Sequence, residues 1–347
     1  MADRIGDARR AAALVGLAGG GLGALAAAGY GVLYAEMTVA RRIIGQPFGD
    51  QAPSADGWFV PPGAVHPDDL RQEAGAIRLV ILGDSGAAGL GCEYAHQTPG
   101  SLLAERLAEA SGRAVQLRTL AVVGAETSEL AEQVDRLEDE PVHRAIGASV
   151  CVIVVGGNDV TAQVRASTAA TQLGAVVTRL IEQDLRVVVG TCPDLGTIKP
   201  VPQPLRALAR GMSRQLAAAQ TVAAVHAGAC TVSLGDLLGP AFDAEPETLF
   251  SRDRFHPSPA GYRRLVEAMA PSVLAAAGHP TDQQDSAPDP VGELTLAEAA
   301  DDAAAHAGTR IDAQPRLRWP KRRREGGTMT WQTQLVRSTN PDNGSAR

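Results

Sequence analysis

The sequence predicts an α/β fold, with a central parallel sheet of about five strands and helices on both faces. Three observations carry this expectation. Short apolar runs recur between residues 77 and 234, and each is ended by turn residues. Helical stretches of ten residues or more separate the runs, which is the length a crossover between parallel strands needs. No internal repeat is present, so the alternation describes one doubly covered sheet rather than an array. The crossovers should be right-handed.

Ile77 to Leu82 is the first strand, broken by Gly83-Asp84-Ser85 and a loop of small residues. Thr98-Pro99 then marks a helix start, with Thr as N-cap and Pro at the first helical position. Leu102, Leu103, Leu107 and Ala110 give this helix its apolar face. Ala114 to Val123 reads as the second strand and Thr127 to Leu137 as the second helix. Ser149 to Val155 is the clearest buried strand, stopping at Gly156-Gly157-Asn158-Asp159. A helix is expected over Thr161–Asp184, a strand over Arg186–Gly190 and a helix over Leu205–Ala227. Ala229–Leu234 reads as a short fifth strand, and Pro257–Ala277 as the last helix.

The flanks differ in composition. Residues 11–34 hold no charged residue, with Arg9 and Arg10 before them and Arg41 and Arg42 after. Such a length suffices to cross a bilayer, although its Gly and Ala content makes insertion marginal. An uncleaved anchor or a secretory signal cut near Ala26-Ala27-Ala28 is favoured over a helix lying on the protein. Positive residues on both sides leave its orientation undecided. The chain thus divides into an apolar segment (1–45), a Pro/Gly/Asp-rich linker (46–75), the globular domain (76–278) and a tail (279–347). The tail is acidic and Ala-rich over 281–312 and basic over Arg316–Arg324, and is expected to be mostly disordered, its basic run solvated. A membrane-associated, envelope or secreted location follows from the first segment, with a cytoplasmic one left open.

Composition excludes several functions. With 347 residues the chain can bury a substantial core, and aromatics at 3% mean that Ala, Val and Leu must build it. A net charge of -7 argues against a nucleic-acid surface. Cys92, Cys151, Cys192 and Cys230 form no C-x-x-C pair and no Cys/His cluster, so neither a zinc site nor a disulfide scaffold is indicated. They read as buried thiols acting as small hydrophobes.

Chemistry-bearing residues sit where the strands end. Parallel topology brings the carboxyl ends of all strands to one rim, where α/β proteins bind their ligands. Ser85, Gly124 and Asn158 follow three successive strands, and Asp253-Arg254-Phe255-His256-Pro257 precedes the last helix. A serine hydroxyl becomes a nucleophile when a base takes its proton, and His256 can be that base. Imidazole needs a partner to fix its tautomer, and Asp253 sits three residues earlier. The Ser85 N–H, the Gly124 N–H and the Asn158 amide are candidate donors to an oxyanion, the glycine letting backbone approach the substrate. Asp84 is read as bonding its own loop backbone, and Asp159 as capping the helix near Thr161. His96, in the loop after Ser85, is a weaker candidate for the pocket wall.

These four pieces, in this order, resemble the SGNH or GDSL-type hydrolase superfamily over about residues 76–278. The resemblance implies a flavodoxin-like three-layer α/β/α sandwich and a serine esterase, lipase or deacetylase working without metal or other cofactor. It implies Ser85 as nucleophile, His256 as base, Asp253 as its partner, and Ser85, Gly124 and Asn158 as the oxyanion hole. The partner would be a small-molecule, lipid or glycan ester, with no nucleic acid, and with membrane association through residues 11–34. Glu126 departs from the pattern, placing a carboxylate where small or hydroxyl residues are usual. The competing function is an SGNH-fold binding protein at the membrane that lost turnover. A nucleotide site is disfavoured because Gly83, Gly86 and Gly89 do not form G-x-G-x-x-G and no Gly-Lys-Ser/Thr follows. An α/β-hydrolase elbow is disfavoured because Ser85 is followed by Gly-Ala. Loops 86–97, 159–170 and 192–204 are expected to shape the pocket, the last stiffened by Pro193, Pro200, Pro202 and Pro204.

Overall fold

The computed structural model describes residues 35–36, 38–39, 48–49, 51–63, 75–141 and 146–279, and the backbone of 309–314 and 332–337. The apolar segment 11–34 lies outside them. Among the described residues no helix is long and apolar enough to cross a membrane.

A short strand β1 (Gly57–Phe59) comes first, then β2 (Ala76–Gly83), buried along its whole length. At Gly83 φ is +134°, and an added Cβ would collide with the Val154 carbonyl, so only glycine lets β2 end here against its neighbour. A one-turn helix α1 (Ser85–Ala88) follows at once, where the sequence reading expected loop. Asp84 makes it possible by accepting the Gly86 N–H at 2.8 Å. Helix α2 (Pro99–Ser111) starts at Thr98 with Pro in first position, as expected, and stops at Gly112 (φ +65°).

Strand β3 (Val115–Thr119) leads through a 3-10 turn at Thr127–Glu129 into α3 (Leu130–Glu138). Strand β4 (Ile146–Val154) is followed by α4 (Gly157–Thr161) and α5 (Ala166–Glu182). The single helix expected over Thr161–Asp184 is therefore two, parted near Gln163, whose φ is +60°. Strand β5 (Leu185–Gly190), helix α6 (Leu205–His226) and strand β6 (Cys230–Val232) fall as expected. Helices α7 (Leu234–Ala244) and α8 (Pro246–Leu249) were not expected. Gly235, Gly239 and Pro240 give the former little helix propensity, and tertiary packing supplies what propensity does not. The last helix, α9 (Pro259–Ala276), is capped by Ser258.

The sheet order is β1-β3-β2-β4-β5-β6-β7-β8. From β3 to β6 all pairs are parallel, which is the doubly wound flavodoxin-like order. The chain steps from β2 to β3 on one side and then to β4 on the other, so β2 ends at the switch point and Ser85 stands in the crevice there. Alternate residues of β2 face opposite layers. Ile77, Leu79 and Ile81 pack with Leu103, Leu107 and Met269, while Val80 and Leu82 pack with Leu130, Val134, Leu173 and Val177. Each such fully buried aliphatic contributes about 1.5–3 kcal/mol, so the sheet is anchored from both sides.

Both flanks of the domain contribute strands that the sequence reading did not anticipate. Within the supposed linker, β1 pairs antiparallel with β3, with Phe59 opposite Val115. In the tail, β7 (Thr309–Gln314) and β8 (Gln332–Arg337) extend the opposite edge from β6. Local composition hid both. An open sheet edge offers unpaired N–H and C=O groups, and a stretch too short to show a strand period of its own can pair with them.

Candidate active site

The strand ends converge as the topology requires. The Asp84 N–H donates to Val154 O at 3.1 Å and the Val122 N–H to Gly83 O at 3.0 Å, tying three strand ends together. Gln133 grips Gly83 on both sides, accepting its N–H and donating to its carbonyl, each at 2.8 Å. This buried glutamine was overlooked in the sequence. Its signal was a polar residue on the apolar face of α3, beside Leu130, Val134 and Leu137. Tyr262 on α9, fully buried, donates to Leu90 O at 2.7 Å and lies 3.5 Å from Ser85 O, so the last helix holds the serine turn from below.

The loop Ser251–His256 is a compact hydrogen-bonded knot. The Ser251 N–H donates to His256 O and the Arg254 N–H to Ser251 O, both at 2.8 Å, with Arg254 at φ +57°. Inside it Asp253 Oδ1 accepts from Phe255 N–H (2.9 Å), His256 N–H (3.0 Å) and Ser251 Oγ (2.8 Å). Its other oxygen, Oδ2, lies 2.6 Å from His256 Nδ1. Burial pushes the Asp253 carboxyl up, but the His256 ring and the Phe255 N–H outweigh it and hold the group below the usual carboxylate range. A charged Asp253 keeps the proton on Nδ1 and leaves the Nε2 lone pair facing outward. That nitrogen is 2.9 Å from Ser85 Oγ. Such a relay can draw the hydroxyl proton onto the imidazole.

Gly124 and Asn158 reach the same rim. Asn158 Nδ2 donates to Ala125 O at 2.9 Å, which fixes the amide beside the Gly124 loop. Asp159 does not cap the helix at Thr161 as expected. It is fully buried and accepts from Thr127 N–H (3.1 Å) and Thr127 Oγ1 (3.0 Å), pinning the loop after β3 to the end of β4. Glycine at 124 also has a backbone reason. An added Cβ would meet nothing within 4 Å, whereas its φ of +86° is one that side chains resist. Glu126 opens the 3-10 turn, its N–H donating to Glu129 Oε2 at 2.8 Å, so the Glu129 carboxylate caps the turn.

Asp84 bonds its loop as expected, but its environment is unusual. Burial raises its pKa from 3.8 to about 6, against the Gly86 N–H and the nearby His256, with Asp159 adding to the rise. Cys92, Cys151 and Cys192 are buried thiols. Burial alone pushes Cys92 up to about 12.

The comparisons bear directly on this arrangement. The model of the GDSL-like lipase/acylhydrolase family matches residues 81–264, from the end of β2 into α9. The chain belongs to that family. Over 240 residues it is 41% identical to a GDSL-like esterase of Mycobacterium tuberculosis, covering 69% of this chain and 74% of that one. Membership makes this chain a carboxylic ester hydrolase. Solved structures that resemble it include a G-D-S-L family lipolytic protein from Veillonella parvula (17% identity, 56% of this chain and 96% of that one, TM-score 0.43). Another is a lipase/acylhydrolase from Enterococcus faecalis (19% identity, 58% and 96%, TM-score 0.43).

In this GDSL-type chain a cleft opens beside Ser85 and His256. Its walls are mostly apolar, with Leu195, Ile198, Leu234, Leu238, Phe242 and Phe255 among them. The loop 192–204 forms one wall, as expected, through Pro193–Ile198. Helix α7, not anticipated from sequence, forms the facing wall. Loop 159–170 contributes nothing to the lining and loop 86–97 only Gly86, because each is folded into helix or turned away. His96 is not among the lining residues; it is exposed and stacks on Tyr94 with centroids 5.7 Å apart.

Proposed function

We propose that this family member hydrolyses carboxylic esters by acyl transfer through Ser85, with His256 as base and Asp253 as the group that orients it and stabilises its protonated form. The observation that carries the reading is the unbroken relay from Asp253 Oδ2 through His256 to Ser85 Oγ, at 2.6 and 2.9 Å. His256 Nε2 takes the hydroxyl proton as Ser85 Oγ attacks the ester carbon. The imidazolium then protonates the leaving alkoxide, and the alcohol departs. Water, deprotonated by the same nitrogen, attacks the acyl-serine and releases the acid. The backbone N–H groups of Ser85 and Gly124 and the Asn158 amide are the donors assigned to the developing oxyanion, each such donor contributing about 3 kcal/mol. The apolar cleft receives the acyl group, which supports esters of apolar acids over acetylated sugars. The uncharged stretch 11–34 supports membrane association or export.

An organophosphonate probe tests the assignment. It is expected to label Ser85, and Ser85→Ala to abolish both labelling and hydrolysis of p-nitrophenyl butyrate. Retained hydrolysis in that variant would remove the nucleophile assignment. Absence of both activities in the wild type would favour the non-catalytic binding protein.

A further inference from the structure

The rim around the cleft also gathers the exposed apolar side chains. Among the described residues the exposed large hydrophobics are Val39, Tyr94, Val122 and Leu208, at 45%, 58%, 38% and 48% exposure. Single exposed apolar residues are ordinary on any protein surface. Here their distribution is one-sided. Val122 stands just past β3, its N–H on the carbonyl of Gly83, the residue before Asp84-Ser85. Tyr94 is in the connection between α1 and α2. Leu208 is in the first turn of α6, which begins beyond the cleft wall Pro193–Ile198. Helices α2 and α6 run from this edge back to the start of the next strand, so their first turns stand on the Ser85 side of the sheet.

Val39 joins them through its own neighbours. Both it and Glu36, three positions earlier, are in helical conformation, and Glu36 Oε2 accepts the Leu205 N–H at 2.8 Å, capping α6. Further on, the Phe48 ring lies 4.6 Å from the guanidinium of Arg252, the residue before Asp253. Glu36 and Phe48 thus fasten the chain to the rim at two points, one at the start of α6 and one beside the Asp253–His256 loop.

We propose that this rim rests on a lipid bilayer, so that the Ser85–His256 cleft opens onto the membrane surface and takes its esters from there. The occupant is argued from the chain itself. Residues 11–34 carry no charge and are long enough to cross hydrocarbon. They join the folded part at Ala35, one residue before Glu36, on this same rim. An apolar segment entering lipid at that point holds Tyr94, Leu208, Val122 and Val39 at headgroup depth, where apolar and aromatic side chains are favoured. The substrate part of the proposal rests on the hydrolase reading; the docking part does not.

The test uses the full chain reconstituted with phosphatidylcholine vesicles whose acyl chains are brominated, with tryptophan emission as the readout. Leu208→Trp and His226→Trp place the probe at opposite ends of α6, about 27 Å apart at 1.5 Å per residue. The emission added at 208 should be quenched and that added at 226 should not. Equal quenching at both ends, or none at 208, overturns the proposal; loss of quenching together with dimers in sedimentation assigns the rim to a second copy instead. A second arm uses Tyr94→Ser with Leu208→Ser. It should lose about tenfold in rate on a long-chain ester carried in the vesicles, while hydrolysis of p-nitrophenyl acetate in solution is unchanged. Equal loss on both substrates, or none on the vesicle ester, also overturns it. Should the wild type cleave neither ester, the hydrolase reading fails, and the quenching arm still decides the docking.

Discussion

His256 Nε2 lies 2.9 Å from Ser85 Oγ although 171 positions of chain separate the two residues. Neither side chain is held by its own neighbours alone. Ser85 is fixed by the collision-free exit of β2 at Gly83 and by Tyr262 from α9; His256 is fixed by the knot around Asp253. Gly91, at φ +106°, lets the serine turn pass against Pro257 O and the His256 Cβ. The distance is a product of the sheet and of the last helix together.

The base role predicts the direction of the pH response. Protonated His256 cannot accept from Ser85, so kcat/KM for a p-nitrophenyl ester should fall when the assay is taken from about pH 8 down to about pH 5. A flat profile over that span rules out His256 as base.

Asp253→Asn should lower kcat by about 10^3–10^4, because an amide no longer selects the Nδ1–H tautomer. It should also change acid stability. The folded Asp253 sits below the usual carboxylate range, so its contribution is present above the unfolded value and lost as pH falls through the folded one. The variant should therefore show a shallower loss of stability in acid, read by urea unfolding; an unchanged slope contradicts the coupling to His256.

Asp84 titrates with the opposite sign. Its folded value of about 6 is above the ordinary 3.8, so its contribution is full below 3.8 and is lost as pH rises through about 6. Two pH units of displacement correspond to about 3 kcal/mol. Asp84→Asn keeps an oxygen for the Gly86 N–H, and so should match the wild type near pH 4 and exceed its stability at pH 7.5. Equal stability at pH 7.5 speaks against a strained charge at this position.

Tyr262→Phe removes the phenol that serves Leu90 O and approaches Ser85 O. A buried carbonyl left without its donor costs about 1–3 kcal/mol in unfolding free energy. Because the ring stays packed, most of the loss should be recovered in no other contact, and kcat should fall more than KM rises as the serine turn loosens. A fall in stability with kcat untouched makes Tyr262 purely a core residue.

Gly239 offers a way to read the cleft. It lines the wall on α7, and a side chain there would meet only Asp194, at 3.7 and 3.8 Å, which is ordinary contact. Gly239→Leu should fold, and should shorten the acyl chains accepted. Each methylene shut out of an apolar site forfeits about 0.8 kcal/mol, or roughly fourfold in relative kcat/KM. A panel of p-nitrophenyl esters from acetate to palmitate measures it, and an unshifted preference places the acyl group elsewhere.

The sequence by itself determined the alternation of buried strands and crossover helices, and with it the rim on which Ser85, Gly124, Asn158 and His256 stand. These are local signals: an apolar run, a turn residue, a cap such as Thr98, an aspartate three residues before a histidine. Tertiary structure alone decided the rest. Helix α7 is written in glycines and a proline that disfavour a helix locally, and it forms because its apolar side chains close the cleft. Asp159 left its expected cap for Thr127, since a buried carboxylate goes to the donors that the fold brings within reach. Strands β1 and β7 exist only because β3 and β6 present open edges to them. Local preference is worth tenths of a kcal/mol per residue, whereas burial and the pairing of buried polar groups are worth whole ones, so where the two conflicted the packing prevailed.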